Sequence, residues 1–426
     1  MDNRAPPFRS PDLMRDVELY KHLLGLVAPW TVGDVKLDIA GQRVDVWVEH
    51  GDGIQWPCPE CGALMATHDH SEERVWRHLD SCQFLTYLHA RPPRINCKDH
   101  GVKQVRLPWA EPMSRFTTLF ERLAIDVLRE TCVRGVCKIL RLSWDEAWLI
   151  MDKAVERGLR AKEKRPIPAI GVDEKAIAKG HSYFTLVTDL MHGTVEYVAE
   201  DRKEESLAGY FQSLTPEQLD AIEAVAVDMW GPYLNVIRRY VPEADDKIVF
   251  DRFHIMQHAV KAVDTVRKRE HRVLREEGNE TLKGTKYLWL YSGENLPGKH
   301  RERFEDLKER NLQTGRAWAI KESLRDLWSY VKRGWAERYW KRWYAWATRS
   351  RLKPVLKLAA MLKRHLGQIL NYVGLFITNA GTEGMNSIIQ MIKHRACGFR
   401  NKDHFRTAIF FHCGGLQLYP VTHGEA

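Results

Sequence analysis

The sequence of 426 residues predicts a multidomain α+β protein whose second α/β domain is interrupted by an all-helical insertion. Short apolar runs with strand-like spacing occur in residues 1–110 and again in residues 166–251. Residues 111–165 and 252–372 instead have apolar residues at helical spacing. Residues 373–426 return to the α/β domain and end in a predicted tail. Apolar residue types make up 44% of the chain, which is enough to build a core in each part.

The positive charge of the chain is concentrated in the predicted insertion. The whole chain has a formal net charge of +9, whereas residues 252–372 contain 28 Lys and Arg against 13 Asp and Glu. A basic block of this kind is typical of a surface that binds nucleic acid, although the solvated face of ordinary helices is the alternative. Because the sequence has no stretch of 18 apolar residues and no signal-peptide pattern, we expect a cytoplasmic protein without a membrane partner.

Two pairs of metal-binding residues lie in the first 110 residues. Cys58 and Cys61 form a Cys-Pro-x-Cys-Gly knuckle, and Cys97 and His100 provide a second pair with the same spacing. Three thiolates and one imidazole are a tetrahedral set suited to structural Zn²⁺, and the strand-like run Phe84–Leu88 between the pairs is typical of a zinc ribbon. The alternative is four unrelated core residues. A nearby side chain could also replace His100, namely His68, His70, His78 or Cys82.

Residues 111–165 predict three helices of the helix-turn-helix type. The second predicted helix is Val133–Leu140, and Ser143 with Glu146 forms the capping-box pattern that begins the third. In such an arrangement the helix from Trp144 onward enters the major groove of DNA. The alternative is a plain helical connector between two domains.

Two aspartates close short apolar runs in the second α/β domain. Asp173 follows Ile170–Val172 and Asp228 follows Ala224–Val227, which predicts two buried strands that each end at a carboxylate. The predicted order of elements, β-β-β-α-β-α-β, is that of the RNase H-like fold, in which the first and fourth strands are neighbours. Both aspartates should therefore meet at the sheet edge where α/β proteins gather their chemistry. Glu383, near the start of a predicted helix, would complete the site.

Three carboxylates at one edge are hard oxygen ligands that suit Mg²⁺ or Mn²⁺ and phosphate-ester chemistry. We expect two ions, with Asp173 bridging them and with Asp228 and Glu383 each holding one. The alternative for strand-end aspartates is a role in a turn or a helix cap. Asp251 and His254, one helical turn apart, either steady this site or the DNA, or are an N-cap and a satisfied histidine.

Aromatic and basic residues alternate within the insertion. Trp328, Trp335 and Tyr339 are spaced by seven and four, which we interpret as one helical stripe that mainly packs in the core. The neighbouring Lys341 and Arg342 are predicted to contact DNA phosphates, and an exposed tryptophan would stack on an unpaired base. After the predicted helix of Glu383, two further cations are expected to clamp phosphates, although a solvated loop is the alternative. These are Arg395 and Arg400.

These patterns together resemble the bacterial DDE-type insertion-sequence transposases of the ISL-three (ISL3) family. The resemblance extends from the cysteine knuckle to about Leu416, and its stretches are specific jointly rather than singly. They are Cys58–Gly62, Trp76–Asp80, Thr86–Arg91, Ile170–Glu174, Asp251–His254 and Thr378–Asn386. One difference is the run Cys397-Gly398-Phe399-Arg400, where the family suggests a small residue followed by Gly-Tyr-Arg.

The resemblance implies a zinc-binding N-terminal domain, a helix-turn-helix, and an RNase H-like catalytic domain with a helical insertion before the glutamate. It matches Asp173, Asp228 and Glu383 to the catalytic triad of an enzyme that cleaves double-stranded DNA at the terminal inverted repeats of its element and joins the 3′-hydroxyl ends to target DNA. The expected assembly is a homodimer or larger oligomer on DNA in a bacterial nucleoid. The alternatives are a non-catalytic repressor derived from a transposase and an RNase H-like nuclease.

Overall fold

The computed structural model describes residues 15–178, 182–377 and 380–421, without the side chains of Ala178, Ala380, Thr382 and Glu383. The chain divides into two compact units. The first ends at Lys162 and takes in the chain from Leu416 onward, and the second is Glu163–Gly415. None of the helices in the described part of the chain is both long and apolar enough to cross a membrane.

The elements of the first unit begin with a short helix, continue through eight strands and close with three helices. In chain order they are α1 (Asp16–Leu23), β1 (Trp30–Asp38), β2 (Arg43–His50), β3 (Gln55–Pro57), β4 (Leu64–His70), β5 (Arg74–Ser81), β6 (Phe84–Ala90), β7 (Pro93–Cys97), β8 (Gly101–Gln104), α2 (Thr118–Glu130), α3 (Val133–Leu140) and α4 (Trp144–Ala161).

The eight strands of the first unit form two four-stranded sheets. Their orders are β1-β2-β6-β5 and β3-β4-β7-β8. β1 and β2 form an antiparallel hairpin, in which Val35 lies opposite Val46. The second sheet brings two distant hairpins together, because β4 pairs with β7. Tryptophans dominate the buried core of this region. They are Trp30, Trp56, Trp76 and Trp109.

Helix α3 has the predicted bounds, and α4 begins at the predicted cap. Ser143 accepts a hydrogen bond from the backbone of Glu146, whose carboxylate accepts one from the backbone of Ser143, so the predicted capping box is confirmed. Arg141, in the left-handed region at φ 54°, ends α3 and makes the tight turn between α3 and α4. The inward face of α4 is buried. It consists of Ala147, Ile150, Met151 and Ala154.

Residues 416–421, which we interpreted as part of a tail, pack against these helices. Leu418 is buried, and its carbonyl oxygen accepts a hydrogen bond from Arg157 of α4. The hydroxyl of Tyr419 donates to Asp126 of α2 at 2.5 Å and accepts from Arg129 at 3.1 Å. The tail interpretation was wrong for these residues, because they are anchored to helices that lie far earlier in the sequence.

The second unit starts with three strands and then alternates helices with strands before a long helical segment. Its elements are β9 (Ala169–Ala178), β10 (Ser182–Asp189), β11 (Thr194–Glu200), α5 (Glu204–Gln212), α6 (Pro216–Asp220), β12 (Ala224–Val227), α7 (Gly231–Tyr240), α8 (Ala244–Lys247), β13 (Ile248–Phe250), α9 (Arg252–Glu276), α10 (Lys286–Leu290), α11 (Arg301–Glu309), α12 (Gln313–Leu324), α13 (Arg333–Arg349), α14 (Lys353–Arg364), α15 (Leu366–Leu375), α16 (Ala380–Arg395) and α17 (Lys402–Cys413).

One mixed sheet of five strands organises the second unit. Its order is β11-β10-β9-β12-β13, with β9, β10 and β11 antiparallel and with β12 and β13 parallel to β9 and to each other. The predicted contact between the first and fourth strands is confirmed, since Ala224 pairs with Ala169 and Ala226 with Gly171. β12 is buried along its whole length, as its continuous apolar run predicted.

The helical segment from α9 to α15 separates β13 from α16, and its aromatic residues divide into two groups. Trp328 lies in a 3₁₀ turn over Arg325–Ser329, whereas Trp335 and Tyr339 lie on α13, so the single stripe predicted for these three residues was wrong. Trp328, Trp340 and Trp343 are buried, as predicted for packing residues. Trp335 and Trp346 are exposed by 55% and 46%.

Candidate functional site

The four predicted zinc ligands converge in the second sheet of the first unit. Cys58 and Cys61 lie in the turn between β3 and β4, Cys97 is the last residue of β7, and His100 lies in the turn between β7 and β8. Pairing of β4 with β7 brings the two turns together, and the four ligand atoms all lie within 4.8 Å of one another. The alternative ligands considered from the sequence are not part of this cluster; His78, for example, is buried and its Nδ1 lies 2.9 Å from the hydroxyl of Thr117.

The spacing of these donor atoms fits a tetrahedral zinc ion. Zn–S and Zn–N bonds of about 2.3 and 2.0 Å imply edges of roughly 3.8 Å between sulfurs and 3.6 Å between sulfur and nitrogen. The Sγ atoms of Cys61 and Cys97 are 3.7 Å apart, and Nδ1 of His100 lies 3.5 Å from Cys97 and 3.8 Å from Cys58. A backbone hydrogen bond from Asp99, followed by one from the side chain of His100, lowers the pKa of the Cys97 thiol to about 6. The donor set therefore fits structural Zn²⁺.

The two predicted catalytic aspartates lie level with each other in the sheet of the second unit. β9 continues to Ala178, so Asp173 lies within this strand and not at its end, which corrects the sequence prediction. β12 ends at Val227, and Asp228 follows it directly. Continuing the parallel register of Ala226 opposite Gly171 puts Asp228 opposite Asp173, just beyond the last pair of β12.

Asp173 is a largely buried carboxylate with fixed hydrogen bonds. Its Oδ1 accepts a hydrogen bond from the backbone of Glu174 at 2.7 Å, and its Oδ2 accepts one from the side-chain amide of Asn386 in α16. Burial raises the pKa of Asp173 to about 6, although the hydrogen bond from Glu174 and the nearby imidazole of His254 act in the opposite direction. An anion held in this environment is stabilised by any cation that reaches it.

His254 connects Asp228 to a third carboxylate. Its Nδ1 is 3.8 Å from Oδ2 of Asp228, and its Nε2 is 3.8 Å from Oδ2 of Asp251. Asp251 is buried and is also the N-cap of α9, where it accepts a hydrogen bond from the backbone of Phe253 at 2.8 Å. Both roles considered for Asp251 and His254 therefore hold at once. Asp251 is an N-cap, and it also faces His254, which lies beside the site.

Helix α16 is held against β9 next to Asp173. Lys175 donates to the carbonyl oxygen of Asn386 at 2.9 Å, and Lys393 donates to the carbonyl oxygen of Ala176 at 3.4 Å. Glu383 lies in this helix one turn before Asn386, and its side chain is outside the described residues. Sequence reasoning did not identify Asn386, whose helical spacing of three from Glu383 was the available signal.

The site offers oxygen donors that suit a hard divalent cation. Besides the carboxylates of Asp173 and Asp228, Oδ1 of Asn386 is a buried oxygen without a hydrogen-bond partner among the described residues. Unpartnered buried polar atoms are rare in folded proteins and require an explanation such as an ion or a bound water. Mg²⁺ takes carboxylate, amide and water oxygens in this way, so the donor set fits this ion.

The four cations predicted to contact DNA are all on the surface. Lys341 and Arg342 are exposed on α13, Arg395 is exposed at the end of α16, and Arg400 is exposed in the turn before α17. In the part of the chain that the structure describes, no carboxylate lies within 4.0 Å of any of them. Their charges are therefore available to an anionic partner, whereas many other arginines in this protein are ion-paired.

Comparison with known protein families assigns the three parts of the chain to one kind of protein. A family described as a transposase matches residues 170–409, one described as a zinc-finger of transposase IS204/IS1001/IS1096/IS1165 matches residues 54–100, and one described as a helix-turn-helix domain of transposase family ISL3 matches residues 105–155. The order of these matches follows the zinc cluster, the three helices and the sheet with its aspartates. The fold and the sites thus define a DNA-binding transposase.

The chain belongs to the ISL3 family of insertion-sequence transposases. It is 28% identical over 353 residues to the transposase for insertion sequence element IS1001 of Bordetella parapertussis, a match that covers 82% of this chain and 86% of that protein. It is 26% identical over 423 residues to the transposase for insertion sequence element IS1557 of Mycobacterium tuberculosis, with 91% and 93% of the two chains covered. The family resemblance inferred from the sequence is confirmed.

Proposed function

We propose that this transposase cleaves DNA at the ends of its insertion sequence and joins the freed 3′-hydroxyl ends to target DNA. The observation that carries the proposal is the pairing of β9 with β12, which brings Asp173 and Asp228 level in the region matched by the transposase family. The triad would be Asp173, Asp228 and Glu383, with Mg²⁺ or Mn²⁺ held between them. A buried Asp173 with a pKa near 6 supports this role, because a bound cation stabilises its ionised form.

The sheet supports an RNase H-like catalytic core. Its three antiparallel strands are followed by two parallel ones, and its first strand lies beside its fourth, as expected for that fold. In this proposal the catalytic domain comprises residues 166–251 and 373–415, and the helices of residues 252–372 are its insertion. The zinc ribbon of residues 1–110 and the helix-turn-helix of residues 111–165 would recognise the terminal inverted repeats, with α4 in the major groove.

The proposed reaction consists of two in-line displacements at phosphorus. First, a water oxygen attacks the phosphodiester at the element end, so that the bond to the 3′-oxygen breaks and leaves a 3′-hydroxyl and a 5′-phosphate. Next, that 3′-oxygen attacks a target phosphodiester and releases a target 3′-hydroxyl, so one phosphodiester replaces another. When bound, two Mg²⁺ ions would activate the attacking oxygen and stabilise the leaving one.

The residues around the aspartates would position them and the DNA. His254 would hold Asp228 from the side of Asp251, and Asn386 would hold Asp173. Side chains that contact the ligands of a metal site in this way commonly orient them. Two element ends must be joined in one complex, so we propose that a homodimer or larger oligomer acts on double-stranded DNA.

Four exposed cations would bind the DNA phosphates. Lys341 and Arg342 on α13 and Arg395 and Arg400 after α16 have no carboxylate partner among the described residues, which supports this assignment. Each phosphate contact contributes a salt-dependent share of the affinity, so removing Lys341, Arg395 or Arg400 should lower the slope of log affinity against log salt by about 0.9 on a duplex.

The activity can be tested with purified protein and a labelled duplex that carries an element end. With Mg²⁺, the wild-type protein should nick the end and join it to a second duplex. Asp228→Ala should bind the duplex with unchanged affinity and lose nicking and joining by roughly a thousandfold or more. A matched control is Asp246→Ala, because Asp246 is an exposed carboxylate that precedes β13, at the opposite end of the parallel strands from Asp228.

Each outcome of this assay has a defined meaning. If Asp228→Ala nicks like the wild type, Asp228 is not part of the active site. A wild-type protein that binds the ends but cleaves with neither Mg²⁺ nor Mn²⁺ would be a DNA-binding repressor instead. Cleavage of any duplex without joining would favour the nuclease alternative.

A further inference from the structure

The exposed face of helix α13 combines tryptophans and arginines in one stripe. The buried face of this helix consists of Ala336, Trp340, Trp343 and Ala347. On the opposite side five exposed residues follow at spacings of three, four, four and three, which keeps them on one helical face. These residues are Trp335, Arg338, Arg342, Trp346 and Arg349. We refer to them as the α13 stripe.

The two tryptophans of the α13 stripe are not needed for packing. Trp335 is 55% exposed and Trp346 is 46% exposed, whereas Trp340 and Trp343 on the other face are buried. Tryptophan buries more area than any other side chain when it packs, so two half-exposed rings on the same face of one helix indicate a binding surface. The guanidinium of Arg338 lies 4.8 Å from the ring centre of Trp335, so an aromatic ring and a positive charge are side by side on this face.

The cations of the α13 stripe have no acidic partners in the described part of the chain. Arg338, Arg342 and Arg349 are free of carboxylates within 4.0 Å, and Glu337, the only acidic residue of α13, is bound to Arg333 at 3.4 Å on another face. The stripe is therefore a positively charged surface with two aromatic platforms. A second copy of the chain would bring the same charges to this face, so pairing of two stripes is opposed by repulsion.

We infer that the α13 stripe binds unpaired, single-stranded DNA. In a duplex the faces of the bases are covered by neighbouring bases, so exposed tryptophans gain nothing there, whereas an unpaired base can stack on an indole ring. Phosphates of the same strand would contact the three arginines. Trp335 and Trp346 are eleven residues apart, which is roughly 16 Å along a helix and matches about five stacked nucleotides.

This inference deepens the proposed function, on which it rests, by naming the form of DNA that the insertion holds. Strand cleavage at an element end frees a strand that can separate from its complement, and the α13 stripe would bind that strand. Stacking does not depend on base identity, so the binding should show little sequence preference. Arg342 would contact this freed strand, whereas Lys341, Arg395, Arg400 and the helix-turn-helix would contact the double-stranded ends.

The inference can be tested by fluorescence anisotropy with a labelled dT12 strand and a labelled 12-base-pair duplex. Trp335→Ala and Trp346→Ala should each weaken binding of dT12 by roughly 5- to 150-fold and leave duplex binding unchanged. Trp335→Phe should retain most of the affinity, because a phenyl ring also stacks. All three variants should stay folded and lose at most a few degrees of thermal stability, since about half of each replaced ring is exposed.

The arginines give a second readout that a loss of packing would not change. For a single strand the slope of log affinity against log salt falls by about 0.7 for each lost phosphate contact. Arg342→Ala should lower this slope, whereas Trp335→Ala should weaken binding at an unchanged slope. Tyr287→Ala is the matched control, because Tyr287 is 67% exposed next to a lysine on α10, outside the stripe, and should bind dT12 like the wild type.

The inference is overturned if the wild type does not bind dT12, if Trp335→Ala and Trp346→Ala bind dT12 like the wild type, or if they lose duplex binding equally. A change in oligomeric state in the tryptophan variants would identify the face as a protein interface instead. Failure of the proposed catalysis is distinguishable, because Asp228→Ala should bind dT12 normally. If the wild type cleaves element ends while Trp335→Ala and Trp346→Ala bind dT12 as the wild type does, only this inference is overturned.

Discussion

Replacing Asp173 by asparagine should stabilise the metal-free protein, and the gain should depend on pH. The folded protein holds this carboxyl group in a buried position where its pKa is raised to about 6. A raised pKa means that the folded state binds the proton more tightly than the unfolded state. The free energy of unfolding of the wild type therefore falls as the pH rises from about 4 through 6. That of Asp173→Asn does not fall for this reason, because asparagine carries no charge.

The size of the effect follows from the pKa. An aspartate in an unfolded chain has a pKa near 3.9, so a folded value of about 6 corresponds to a cost of about 3 kcal/mol for the ionised form above pH 7. The substitution keeps the shape of the side chain. The introduced amide can also be satisfied, because Oδ1 of Asn386 has no hydrogen-bond partner among the described residues and can accept from it after the Asn386 amide rotates.

Thermal unfolding of both proteins measures this difference. The scans are made at pH 4, 5, 6 and 7.5 without Mg²⁺. No chelator is added, because a chelator would remove zinc from the zinc ribbon of the wild type and of the variant. At about 2–4 °C per kcal/mol for a unit of this size, Asp173→Asn should melt several degrees above the wild type at pH 7.5 and at the same temperature at pH 4. Asp246→Asn, a change at an exposed carboxylate, should show no such trend.

Addition of Mg²⁺ should remove most of the advantage of the variant. A ligand that binds only the folded state at a hundred times its Kd stabilises it by about 2.7 kcal/mol, and the proposed site needs the charge of Asp173 to hold the ion. The reasoning is refuted if the variant is less stable than the wild type at pH 7.5 without metal, or if the difference between the two does not change with pH.

Three further substitutions test other parts of the molecule. Cys97→Ser should remove the bound zinc, measured as metal per chain by elemental analysis, and a full equivalent in the variant would rule out the proposed ligand set. His254→Gln should slow end cleavage by roughly 10- to 100-fold with unchanged DNA binding, and wild-type nicking would exclude a positioning role. Asp189→Ala leaves Arg165 and the backbone of Met191 without their acceptor, so the unfolding free energy should fall by roughly 3 kcal/mol in denaturant titrations; an unchanged midpoint would contradict this.

Local patterns in the sequence predicted the individual elements well. The capping box at Ser143, the helix Val133–Leu140 and the apolar run of β12 each depend on residues within one helix or one strand, so short-range chemistry decides them. The zinc ligands were also predictable, because two thiolates or a thiolate and an imidazole at a spacing of three bind a metal from one tight turn.

The neighbours of the candidate active site were predicted only in part, since Asp251 and His254 were placed beside it as one of two alternatives and Asn386 was not identified. Asn386 bonds to Asp173 across 213 positions, and His254 stands between two aspartates that follow different strands. Strand pairing and helix packing determine such contacts. A local sequence pattern does not predict which distant segment packs beside a given residue.

The residue pattern alone was enough to establish the zinc cluster, the order of strands and helices, and the family of this protein. It did not establish which tryptophans of α13 are buried and which form the α13 stripe, or that residues 416–421 return to α2 and α4; these depend on how the folded chain packs. The physical reason is that helical spacing defines a face without saying what covers it. Burial depends on the elements that pack there, and those come from remote parts of the chain.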